Sequence, residues 1–70
     1  MYIVIEIQTS GDSVATIVNK YADRAEAEAR FHAILAAAAV SAVPVHAAVM
    51  LTNAGTMVKS EYYRHGGEEE

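Results

Sequence analysis

Residues 2–8, YIVIEIQ, alternate cleanly: Ile3, Ile5 and Ile7 project to one side, Tyr2, Val4, Glu6 and Gln8 to the other. A period of two over that length predicts a half-buried strand. TSGDS at 9–13 supplies turn chemistry, and VATIVNKY at 14–21 forms the second arm of a hairpin. Ile17 and Val18 compete for the inward side of that arm, and the pattern leaves the choice open.

At Asp23 the period changes. Its carboxylate is placed to accept backbone N–H bonds, and Glu26 three residues on completes a capping-box-like pattern. Glu26 and Arg30 stand i,i+4 in the favourable order. Ala27, Phe31, Ile34, Leu35 and Ala38 form one helical stripe, the expected core face. The helix is expected to end near Ser41, because Pro44 biases Val43 away from helical geometry.

After the proline the period returns to two. Val45, Ala47, Val49 and Leu51 share one side; His46, Ala48 and Met50 share the other. NAG at 53–55 is a turn, and TMVKSEYYRH supplies the fourth strand. A turn centred on Ala54 and Gly55 sets Leu51 opposite Val58, Val49 opposite Ser60 and Ala47 opposite Tyr62. The other side then pairs Met50 with Lys59, Ala48 with Glu61 and His46 with Tyr63. A slip of one residue would drive Lys59 and Glu61 into the core, which fixes the register. On this reading the Val45–Leu51 side faces the core and His46 faces away from it. The predicted fold class is α+β, ββαββ: a four-stranded, mainly antiparallel sheet with one helix on a face. It is one domain over residues 1–65, with GGEEE at 66–70 read as a flexible acidic tail, native or appended.

Composition changes this picture in one respect. Of 37 apolar residues 14 are alanine, against one Phe, two Leu and five Ile, so a single chain buries a thin core. Seventy residues sit near the lower limit for one self-sufficient core, and there is no cysteine to staple it. Oligomerisation is the remaining common remedy. A second helical stripe, Ala29, Ala33, Ala36 and Val40, carries small apolar residues where lysine and glutamate usually stand. It is the expected homo-oligomer interface, although alanine is also simply the best helix former.

Charge narrows the partners. The net charge is −4, and without Glu68, Glu69 and Glu70 it is −4 + 3 = −1, so no basic patch invites nucleic acid. From Phe31 to Val58 runs an uncharged stretch of 28 residues. Its segment Ala33–Leu51 is long enough to span a bilayer. Ser41, Pro44 and His46 interrupt it, the first half is mostly alanine, and the period changes midway, so no membrane span is expected. The start Met-Tyr-Ile-Val-Ile lacks the basic region of a signal peptide. Cytoplasmic localisation is the expectation.

FHAILAAAAVSAVPVHAAVML, followed by a glycine turn and VKSEYYRH, resembles a family of short proteins from phages and prophages of gut Firmicutes. The resemblance covers residues 2–65 and is most specific in AAAAVSAVPVHAA and the closing EYYRH. It implies a genomic setting and an oligomer inside a bacterial host, not an activity, and no catalytic residue carries over. Two functions follow as expectations. One is a small oligomeric binding protein that sequesters a host nucleotide-type immune signal without turnover. Such a signal would be a cyclic ADP-ribose, another ADP-ribose derivative or a cyclic nucleotide. The alternative is a phage accessory protein acting by protein–protein contact with a host or virion protein.

The candidate chemistry is sparse. Arg64, Lys59 and Arg30 are the expected phosphate contacts, and Tyr63 and Tyr62 the stacking partners for a base. His46 and His65 complete the expected ligand site. His32, His46 and His65 fall on three elements without short ligand spacing, so no metal or other cofactor is expected. Glu6, Glu61, Lys59 and His46 are able to share a sheet face, yet no nucleophile motif or phosphate loop accompanies them. An enzyme is not expected.

Overall fold

The computed structural model describes residues 1–65; the expected acidic tail lies outside them. The order is β1 (Tyr2–Ser10), β2 (Ser13–Tyr21), α1 (Arg24–Ala39), β3 (Val45–Thr52) and β4 (Met57–Arg64). One antiparallel sheet runs β2-β1-β3-β4, with α1 on one face, so the fold is the expected ββαββ. Both arms of the first hairpin reach further into TSGDS than their alternation suggests. Only Gly11 and Asp12 separate them. Gly11 takes φ +61 at the first central position, which a type II′ turn requires and a side chain resists.

The helix begins as read: Asp23 caps it, with Oδ1 accepting from the Ala25 N–H at 3.2 Å. It ends at Ala39 with Val40 as cap, slightly before Ser41. Ala27, Phe31, Ile34 and Ala38 are buried and Leu35 is half-buried, so the core stripe is the expected one. Arg30 does not pair with Glu26; its guanidinium reaches Glu6 on β1, and the i,i+4 bridge on the helix is Arg24–Glu28 at 3.0 Å. The second stripe, Ala29, Ala33, Ala36 and Val40, is exposed, Val40 at 86%. No helix among the described residues is long and apolar enough to cross a membrane.

The register between β3 and β4 is the expected one from His46–Tyr63 to Met50–Lys59. Past Met50 it shifts: Leu51 pairs with Met57, not Val58, across a bulge. Val58 turns to the helix side and packs against the core.

The larger correction concerns which side of the sheet is the core. The helix covers Val4, Glu6, His46, Ala48 and Met50, all buried, and packs chiefly over β3. His46 therefore faces the core. The alternate set, Ile3, Ile5, Ile7, Val45, Ala47, Val49 and Leu51, is half-buried and lies on the side away from the helix. The physical reason lies in the crossover. Strands β2 and β3 both run antiparallel to β1 and hence parallel to each other, and α1 links them across β1. Parallel crossovers are right-handed almost without exception, so chain direction and strand order select the side the helix covers. Alternation alone carries no such information.

On β2, Ile17 falls on the helix side and Val18 on the uncovered side. Both are largely exposed, because the helix reaches β2 least.

Candidate functional site

Two places hold chemistry, one on each face. Under the helix, β1 contributes Glu6 and Gln8, β3 contributes His46, and α1 contributes Arg30. The Glu6 carboxylate accepts from His46 Nε2 at 2.6 Å and from Gln8 Nε2 at 3.0 Å. Arg30 Nη2 lies 3.6 Å from the second carboxylate oxygen. Glu6 and His46 are only 8% and 4% exposed. Burial by itself would raise the Glu6 pKa. Hydrogen bonds from His46 and Gln8, with the charges of His46 and Arg30, overturn that effect and hold it below its ordinary 4.5.

The contact at Nε2 assigns a proton there, because an ionised carboxylate only accepts. Buried His46 Nδ1 and Arg30 Nε have no hydrogen-bond partner among the described residues. A carboxylate, an imidazole and a guanidinium together suit proton transfer; the helix buries Glu6 and His46, while the Arg30 side chain stays 39% exposed. The Arg30–Glu6 contact ties α1 to β1.

The uncovered face is the second place. Val45, Ala47, Ala48, Val49, Ser60, Glu61 and Tyr62 line a shallow groove of about 350 Å³ on β3 and β4. The Arg64 guanidinium lies 5.9 Å from the ring centroid of Tyr62, which lines the groove. Around the groove the pairs Ile3–Leu51, Ile5–Val49 and Ile7–Ala47 continue the apolar surface across β1. On β2 it ends with Val14, Thr16, Val18 and Lys20. Among the described residues, charge lies at two corners, Lys20 beside Ile3 and Arg64 beside Val45, and at Glu61 on the groove wall.

The seven residues expected to bind one ligand are thus divided between the faces. His46 and Arg30 sit in the buried cluster. Lys59, on the helix side, lies 3.7 Å from Glu28 and 5.5 Å from the Phe31 ring centroid. Tyr63 stacks on His65 with ring centroids 6.2 Å apart, and His65 Nε2 donates to the Ala38 carbonyl at 2.6 Å, closing the helix end. Only Tyr62 and Arg64 reach the uncovered face. The division follows from alternation along β4, where neighbours in sequence point to opposite sides. The sequence grouped Glu6 with His46 on one face without predicting their direct hydrogen bond, and it did not single out Gln8, which donates to Glu6. The signal for Glu6 was present: a carboxylate on the Val4 side of a strand needs a buried donor if that side is covered.

Glu6, Glu61, Lys59 and His46 do share a sheet face, as expected, but Lys59 is engaged by Glu28 and Glu6 by His46. His32 is exposed on the helix, its ring edge-on to Phe31 at 5.6 Å. No group of three or more metal-ligating side chains occurs among the described residues.

Comparison with protein-family models, with curated proteins and with solved structures returns no match. The phage-family resemblance therefore stands on the sequence stretch alone.

Proposed function

We propose that the chain is a protein-interaction module that works by binding, not turnover, and that a second copy of itself covers the uncovered sheet face. The observation that carries this reading is the face itself: three isoleucines, four valines, a leucine and a tyrosine on one side of the sheet, its charges among the described residues confined to Lys20, Arg64 and the Glu61 wall of the groove. A monomer rarely leaves such a continuous apolar surface bare. Four strands at roughly 4.8 Å spacing and eight residues at roughly 3.3 Å make a footprint of about 500 Å² per copy. Two copies then bury about 1,000 Å², the lower bound for a specific interface. Sheets stack face to face about 10 Å apart with side chains interdigitated, and a neutral centre meets its own copy without like-charge repulsion.

The test is sedimentation equilibrium of the wild type against Val49→Lys. A lysine at the centre of the face should halve the assembled mass while circular dichroism stays unchanged. A wild type that is monomeric at micromolar concentration, or a variant of unchanged mass, sinks the proposal.

A second reading has one observation of its own. The Arg64 guanidinium beside Tyr62, a lining residue of the 350 Å³ groove, offers a cation and a π-face to a phosphate-bearing nucleotide at the subunit seam. This is the signal-sequestering function expected from the phage resemblance, now resting on two of its seven residues. Calorimetry against cyclic dinucleotides and ADP-ribose derivatives decides it. Binding lost in both Tyr62→Ala and Arg64→Ala supports sequestration; no heat with any ligand removes it.

A further inference from the structure

Strand β2 is open on three sides. It is an edge of the sheet, the helix barely reaches it, and its far face is uncovered. Val14, Ile17 and Val18 are 64%, 47% and 56% exposed. The other edge, β4, is guarded in the usual ways: a bulge at Val58 and three charged residues, Lys59, Glu61 and Arg64. From Ser13 to Tyr21, β2 has no bulge against β1, no proline and one charge, Lys20. Such a strand is a template for another.

We propose that β2 pairs with β2 of a second copy, antiparallel about a two-fold axis through Thr16, to make one continuous eight-stranded sheet. Backbone geometry and side-chain pattern agree on this. Ser10 and Ser13 flank the two-residue turn and form its hydrogen-bonded pair. Antiparallel pairs alternate from there, so Ala15, Ile17 and Asn19 bond to β1. Val14, Thr16, Val18 and Lys20 turn their N–H and C=O groups outward.

A two-fold at Thr16 matches outward residues with outward residues: Thr16 with its own copy, Val14 with Val18. On the other face it brings Ala15 beside Ile17 and Ser13 beside Asn19. It also brings Asp12, in the turn, level with Lys20, one opposite-charge pair at each end of the seam. Moving the axis to Ile17 would set Lys20 against Val14 and leave Asp12 without that partner. The self-complementary charge at Thr16 is what commits the occupant to a second copy and not to a strand of another protein. This seam uses an edge, so it is independent of the face-to-face contact. Where both form, two different two-fold contacts build a closed tetramer.

The test combines native mass spectrometry with amide exchange. Thr16→Pro deletes one outward N–H and leaves the bonds to β1 intact, a substitution edge strands tolerate. It should halve the assembled mass, and with Val49→Lys it should give a monomer. Lys20→Glu should weaken the β2 seam about tenfold at low salt, and adding Asp12→Lys to it should restore wild-type assembly. In the wild type the amides of Thr16 and Val18 should be protected at high protein concentration and exchange freely on dilution. Unchanged assembly of Thr16→Pro, a failed charge reversal, or concentration-independent exchange at Thr16 and Val18 would each overturn the pairing. The exchange measurement decides the matter even if the proline variant does not fold, and Val49→Lys alone reports on the face contact.

Discussion

The two faces of this sheet reverse the ordinary expectation from polarity. The covered face carries Glu6, Gln8, His46, Lys59 and Glu61; the bare face carries Ile3, Ile5, Ile7, Val45, Val49 and Leu51. A hydrophobicity rule alone would place the helix on the isoleucines. What decides instead is the handed crossover from β2 to β3, which admits the helix on one side only. Burial of Glu6 and His46 is then made tolerable by pairing. Glu6 gathers three partners, and Lys59 and Arg30 lay their stems over the core with their charged heads near Glu28 and Glu6. The isoleucines left over are surplus for a monomer and suited to a seam.

Adjacent residues on β3 put this contrast to its hardest trial. Ala48 is fully buried under the helix and Ala47 lies on the bare face. Ala48→Lys should cost at least about 4 kcal/mol, a large share of the roughly 5–15 kcal/mol of a small domain, because it drives a charge into a packed core. Ala47→Lys should leave the urea midpoint of the monomer nearly unchanged and weaken assembly. Urea unfolding of both variants, followed by circular dichroism, checks the order. The reverse order would mean that the helix covers the other face.

The buried ion cluster sharpens the same comparison through pH. His46→Ala leaves the Glu6 carboxylate buried with fewer donors and should cost about 3 kcal/mol. The folded pKa of Glu6 lies below its ordinary 4.5. Below 4.5 the unfolded chain therefore binds the extra proton first, and stability rises with pH in that range. The contribution is fully present above 4.5 and is lost as pH falls through the lowered folded value. Glu6→Gln should flatten the acid limb of stability as pH falls below the ordinary 4.5 of a glutamate. Glu28, also lowered by Arg24 and Lys59, supplies a background common to both proteins. Equal acid slopes in wild type and Glu6→Gln would show that the cluster does not set the acid response.

Much of the architecture was legible because each element announces its own period. The five elements, the Asp23 cap, the core stripe from Ala27 to Ala38 and the pairing of His46 with Tyr63 all follow from local pattern. Which face the helix covers was not legible, since a strand's alternation is symmetric until the crossover is closed. The ligand site suffered by consequence. Tyr62 and Tyr63, neighbours in sequence, were read as one site, yet they stand on opposite faces. Val58 escaped because a bulge leaves no mark in a run of residues that still alternate acceptably.

The smallest expected effect is at the helix stripe. The stripe Ala29, Ala33, Ala36 and Val40 was the interface expected from sequence, on the ground that a thin core needs a partner. The need is the same, but two surfaces now compete to meet it. The helix stripe is narrow and built mainly of alanine, which gives little area per residue, whereas the sheet face offers branched side chains over four strands. Ala33→Glu on the exposed stripe should therefore shift stability by no more than about 0.5 kcal/mol and leave the sedimenting mass unchanged. The same assay on Val49→Lys should halve it. If instead Ala33→Glu dissociates the assembly and Val49→Lys does not, the contact belongs to the helix, and the isoleucine face requires a different partner.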